Sequence, residues 1–304
     1  MRLAVALAGT PGGAITLCPE GQIGESNLLL VVTLEQPGPA ELAGVKGTLC
    51  AFDLPALTAL VGACDPASEA LVTAQISPTA QLLAALPGVT HAPVAGAVDG
   101  TQPGAAVGLE RITVTVGASV ASGGAALPAW DTAASGCSDP DLGRTPQCEA
   151  ACVSDCAPLR DDDGDGYPGV SVDVCGTTQD DVQSGALCRP EAPNEPGSTL
   201  QGRAFIDLEV DPRLTGEARS SCEVVGAADS QVRYQLVGAD LYLAGAPLAV
   251  SGVIKSLPSI QVDPAQSRFR MVRIDGQHGA SDWGVDPADP AAACATVLAR
   301  VNEL

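Results

Sequence analysis

Four aspartates fall within five residues at Asp161-Asp162-Asp163-Gly164-Asp165, and the run continues through Gly166-Tyr167-Pro168-Gly169 into Val170. Carboxylates this close repel one another unless something positive stands between them. A hard cation that accepts several oxygen ligands meets that need. The glycines allow sharp turns inside the run, and Pro168-Gly169 ends it. Whatever the chain folds into must therefore present a tight acidic loop and leave it at a turn.

The spacing is that of a calcium loop. Asp161, Asp163 and Asp165 take positions 1, 3 and 5 of D-x-D-x-D-G, Gly166 takes position 6, and Tyr167 offers its backbone carbonyl at position 7. This much is similar to EF-hand, dockerin and thrombospondin-repeat loops. The pattern then departs from them. Gly169 at position 9 has no side-chain ligand, so a water must serve there. Position 12 is Val172 where an EF-hand has a bidentate Glu, and Asp173 comes one residue late as the closing ligand. Asp180 or Asp181 are alternatives after a turn. Pro168 bars an immediate helix and Val170, Val172 and Val174 alternate, so the loop should open into a strand. The bland reading is a solvated acidic turn without metal.

Composition narrows the setting. Net charge is −21, with 15 Lys and Arg, and Lys46 and Lys255 are the only lysines. Such a surface repels phosphate backbones and anionic membranes, which argues against nucleic acid as a partner. Aromatics are only 3% while 46% of residues are hydrophobic, so the core must be built from Ala, Val and Leu. With 34 Gly and 24 Pro, turns and strands are favoured over long helices. Eleven cysteines without a zinc signature point to disulfides and an oxidising compartment, with one thiol left over. No apolar run reaches the about 20 residues of a membrane helix.

The periodicity predicts a mainly β chain: antiparallel sandwich or barrel-like sheets in two lobes, an acidic disulfide-rich insert and a C-terminal helix. The lobes read as 1–130 and 191–304, with the Cys-rich segment at 131–190. Residues 1–18 read as a hairpin, with a short signal peptide as the alternative. Asn27–Leu34, Val45–Phe52, Arg111–Val116 and Ala204–Val210 read as strands, and 92–108 as a loop. Gln231–Leu243 suggests two strands around Gly238. Pro55–Val61 and the stretch after Ser77-Pro78 read as short helices, and Asp289-Pro290 caps a final one. Cys50–Cys64 would close a short loop, and Cys222 is a candidate partner for Cys294. Cys148, Cys152 and Cys156 are spaced to line one face of a small disulfide-stapled helix.

Catalytic signals are thin. His91 and His278 are the only histidines, Gly279–Gly284 misses a nucleophile elbow by one residue, and no phosphate loop is present. The string at 161–172 resembles a recurrent stretch, DDDGDG-x-PGV, of secreted proteins and lipoproteins of myxobacterial type. Leu127-Pro128-Ala129-Trp130-Asp131 and the Cys-containing segment 290–302 are similar to that group as well. The resemblance implies export, β-rich structure and calcium binding, and it implies no activity. The leading expectation is a secreted or surface-attached, calcium-stabilised β-protein of structural or interaction role, located outside a bacterial cell or in its periplasm. Alternatives are a barrel or sandwich holding an apolar small ligand, and a calcium-assisted hydrolase.

Overall fold

The structure is a computed structural model of the 304-residue chain. It describes residues 1–8, 16–17, 23–38, 40–53, 57–60, 71–89, 91–100, 102–120, 126–131, 152–248 and 259–304. The molecule is mainly β, and among the described residues every pairing between named strands is antiparallel. Eight strands close a barrel: β1 (Arg2–Ala8), β3 (Ile23–Gly38), β4 (Glu41–Phe52), β7 (Val94–Val98), β8 (Ala106–Leu109), β12 (Arg213–Ser220), β13 (Glu223–Asp229) and β16 (Ser259–Val272). Their order around it is β1-β16-β13-β12-β8-β7-β4-β3. Eight more form a second sheet: β2 (Thr16–Leu17), β5 (Leu57–Leu60), β6 (Leu71–Pro78), β9 (Val114–Val116), β10 (Val170–Thr177), β11 (Leu200–Val210), β14 (Val232–Leu243) and β15 (Ala246–Pro247). Both sheets take strands from either side of the Cys-rich segment.

An eight-stranded barrel is just wide enough for side chains to fill. Leu3, Val45, Leu109, Leu214 and Phe269 are buried in the barrel, and one continuous cluster joins them to Val170, Ile206, Leu208 and Leu236 of the second sheet. An apolar gap of about 30 Å³ remains between Leu3, Val5 and Leu28 of the barrel and Leu208, Val210 and Val232 of the sheet. That is room for about one water, so this gap does not admit a small apolar ligand. β11 is central, with β14 on one side and β9 and β10 on the other. Its residues 204–210 are buried on both faces.

Several sequence expectations need correction. β1 pairs with β3 and β16 in the barrel, and β2 pairs with β5 in the second sheet, so the two do not form a hairpin with each other. Leu57–Leu60 is a strand, not a helix; residues 55, 56 and 61 lie outside the described ones. The stretch 92–108 holds two strands, because its Ala and Gly residues fit between neighbours: a Cβ on Gly96 would come within 2.7 Å of the Gly108 carbonyl. Gly238 does not divide β14, whose register merely shifts opposite Phe205 and Ile206. Cys152 and Cys156 are disulfide-bonded but not helical, and Cys148 lies outside the described residues.

Among the described residues, three short α-helices complete the fold: α1 (Ala80–Ala85), α2 (Gln179–Ser184) and α3 (Pro290–Ala299). Asp289 caps α3, its carboxylate accepting from the Ala292 N–H at 3.0 Å, with Pro290 at the first helical position as expected. Ala293, Cys294 and Val297 are its buried residues, whereas Leu298 and Val301 are largely exposed. Cys294 is bonded to Cys50 on β4, which replaces both pairings expected for these cysteines, and Cys222 is free. Cys175, towards the end of β10 away from the acidic loop, is bonded to Cys188. Among the described residues no helix is long and apolar enough to cross a membrane.

Candidate metal centre in the acidic loop

The loop hangs from a stem made by backbone. The Arg160 N–H donates to the Gly117 carbonyl and the Gly169 N–H to the Arg160 carbonyl, both at 2.9 Å. Gly169 has φ +90°, and a Cβ there would lie 2.7 Å from the Ile206 carbonyl oxygen and 2.9 Å from Val237 Cγ2. A Cβ on Gly117 would meet the same carbonyl at 2.7 Å and the Gly169 Cα at 3.0 Å. Three backbones therefore converge where β9 ends and β10 begins, and only glycines fit. Gly169 brings no side-chain ligand to the loop; its role is this close approach. Asp162, which has no place in the ligand pattern, fixes the stem. Its Oδ2 accepts from the Gly117 N–H at 2.7 Å and from Arg160 Nη2 at 2.8 Å.

Asp161, Asp163 and Asp165 come together, each offering a carboxylate oxygen within 4.8 Å of the others. Asp161 binds the turn itself. Its Oδ1 accepts from the N–H groups of Gly164 (2.7 Å) and Asp165 (3.1 Å), and its Oδ2 from that of Gly166 (3.0 Å). Gly164 and Gly166 supply the left-handed backbone, with φ +70° and +91°. Asp165 accepts from the Tyr167 N–H at 2.9 Å and from the Ser171 hydroxyl. Asp163 points inward and is only 9% exposed. Its Oδ2 accepts from the Ser171 N–H at 2.7 Å, and its Oδ1 is buried with no hydrogen-bond partner. Burial pushes the Asp163 carboxyl up to about 6, the charges of Asp165 and Asp161 push the same way, and the Ser171 N–H opposes them. An orphaned buried carboxylate oxygen beside two more carboxylates is a site that a cation would complete. The donor set is all oxygen, which suits a hard ion such as Ca²⁺, Mg²⁺ or Mn²⁺.

The remaining expected ligands divide. Tyr167 stays in the loop, with its ring stacked on Phe205 of β11 at 4.3 Å between centroids. Asp173 does not join the cluster. It lies along β10, where its carboxylate takes the Arg203 Nε at 3.0 Å. Asp181 is also engaged elsewhere. It forms a capping box with Thr178 on α2 and accepts from the Thr199 N–H at 3.0 Å. Loop residues 161–165 thus carry the carboxylates of the cluster, and β10 begins at Val170 as the alternation requires.

No catalytic constellation gathers at the loop among the described residues. His91 Nε2 accepts from the Gly47 N–H and its Nδ1 faces the Ala92 carbonyl, both at 2.7 Å, so it bridges barrel backbone. His278 sits in a turn with φ +53°, and its carbonyl accepts from Ser221. What sequence reasoning missed is a pair of buried acids on β11. Asp207 has no exposed surface, and both its oxygens are without partners. Burial pushes its carboxyl up to about 8; the nearby N–H groups of Gln235 and of Asp207 itself oppose this without reaching hydrogen-bond geometry. Glu209, 2% exposed, pairs with Arg233 through Oε1 and leaves Oε2 orphaned. Asp207 and Glu209 alternate with Ile206, Leu208 and Val210 along the strand, and no local signal shows that their face is covered.

Compared with protein-family models, with curated proteins and with solved structures, the chain matches none.

Proposed function

We propose that this chain is an exported β-protein whose acidic loop holds a structural calcium ion, and that its role is one of structure or interaction rather than catalysis. The observation that carries the reading is the buried, unpartnered Oδ1 of Asp163 between Asp161 and Asp165. Calcium takes six to eight oxygens and tolerates irregular geometry, so water can complete a shell begun by three carboxylates from one short loop. The ion neutralises the mutual repulsion of the cluster. It thereby stiffens the segment that joins the Cys-rich stretch to β10, through Ser171, and to β11, through the Tyr167–Phe205 stack. The Cys50–Cys294 and Cys175–Cys188 disulfides suit an oxidising compartment, outside the cell or in a periplasm. The resemblance of 161–172 to secreted myxobacterial-type proteins leads to the same place. The partner under this reading is another extracellular or cell-surface molecule.

Thermal unfolding of the oxidised protein, with calcium and with chelator, tests it. An ion that binds only the folded state stabilises it by about 2.7 kcal/mol at a hundredfold excess over its Kd. The expected result is a higher midpoint in calcium, abolished by Asp163→Asn or Asp165→Asn. No shift at millimolar calcium, or the same shift in both variants, sinks the reading.

A further inference from the structure

On the outer wall of the barrel, register decides which side chains stand together. Arg268 and Arg270 of β16 lie opposite Ala227 and Val225 of β13. Those two lie opposite Thr215 and Glu217 of β12, and Glu217 lies opposite Ala106 of β8. Small residues on β13 thus run between long ones on β16 and β12, two strand spacings or about 10 Å apart. The result is a trough of about 760 Å³, with Ala106, Val225 and Ala227 along its floor and, around it, three arginines (Arg219, Arg268 and Arg270) against two carboxylates (Glu217 and Glu223).

This is an unusual gathering for a chain of net charge −21 with 15 basic residues. Arg2 of β1 stands directly opposite Arg268, so like charges face each other across adjacent strands, an arrangement that costs stability unless it is answered. The answers within the chain are partial. Glu25 is 3.3 Å from Arg2 and Glu223 is 2.7 Å from Arg270. Arg268 donates to the Ser267 carbonyl at 2.8 Å, and Arg219 makes no ion pair among the described residues. Each guanidinium carries five N–H donors in a planar fork, so most of the donors around the trough are uncommitted. That geometry matches a carboxylate, phosphate or sulfate group, and the volume is that of a small-molecule site.

We propose that the trough over β13 binds an oxyanion-bearing small ligand, gripped by Arg268, Arg270 and Arg219, with the Ala/Val floor receiving its apolar body. The site is separate from the acidic loop and does not depend on calcium. Calorimetric titration of the full oxidised chain with sulfate, inorganic phosphate and succinate, at ionic strength held constant with sodium chloride, reads it directly. Saturable binding of at least one probe is expected, weakened about ten-fold or more in the Arg268→Gln/Arg270→Gln double variant and unchanged in Arg300→Gln. Preference for sulfate or phosphate assigns a tetrahedral ester, and preference for succinate assigns a carboxylate. If the double variant does not fold, Arg219→Gln serves in its place and should also weaken binding. Absence of saturable heat at tens of millimolar, or equal weakening in Arg300→Gln, overturns the proposal.

Discussion

Replacing Asp207 with Asn should make this protein more stable, and by an amount that depends on pH. Asp207 is fully buried on β11 with neither oxygen hydrogen-bonded, and its carboxyl is pushed up to about 8 from the ordinary 3.8. In the unfolded chain the group ionises near 3.8, so between 3.8 and about 8 the folded state holds a proton that the unfolded state has released. Stability then falls as pH rises, by up to about 1.4 kcal/mol per pH unit, and the loss is complete only above about 8. At pH 7 the cost is about 4 kcal/mol, on the order of 8 °C in Tm for a chain of this size. Asn is neutral and nearly the same shape, and it removes that cost while leaving the packing intact. Urea unfolding of parent and variant from pH 4.5 to 8 is the assay. The gap should be about 4 kcal/mol at pH 7 and shrink to about 1 kcal/mol at pH 4.5. A variant no more stable than the parent at pH 7, or a gap that does not close towards acid, would refute the reasoning. Either outcome would mean that Asp207 is ionised beside a compensating charge.

The glycines of the acidic loop should separate sharply under alanine substitution. Gly169→Ala meets the Ile206 carbonyl and should cost about 3 kcal/mol or more, whereas Gly164→Ala, with φ +70° but open space around it, should cost about 1–2 kcal/mol; urea midpoints distinguish them. Arg233→Gln strips the partner from a Glu209 carboxylate that is 3% exposed and should cost about 3 kcal/mol at neutral pH, while Arg300→Gln, at an exposed pair, should cost under about 1 kcal/mol. Removing the Cys50–Cys294 bond by a double Ala substitution releases a 244-residue separation and should lower stability by up to about 5 kcal/mol, read as a drop in Tm of the otherwise oxidised protein.

The acidic loop was legible because its determinants are local. Carboxylates at alternate positions and glycines at the turns act within ten residues, so the triad, the turn and the start of β10 at Val170 follow from spacing alone. The apolar run of β3 and the strand runs of β4 and β11 likewise declare strands, and Asp289-Pro290 declares the start of α3. What tertiary structure alone decided is long-range. The closing of β1 onto β16, some 260 positions along the chain, depends on the summed register of eight strands. Cys294 bonds to Cys50 because α3 folds back onto β4, a fact no cysteine spacing contains. Asp173 turns from expected ligand to ion-pair partner because β11 places Arg203 opposite it. The same strand hides Asp207 and Glu209, whose alternating pattern is that of a solvated face until other parts of the chain cover it. Charge and turn chemistry act over a few ångströms of contiguous chain, whereas burial is a property of whatever comes to lie on top.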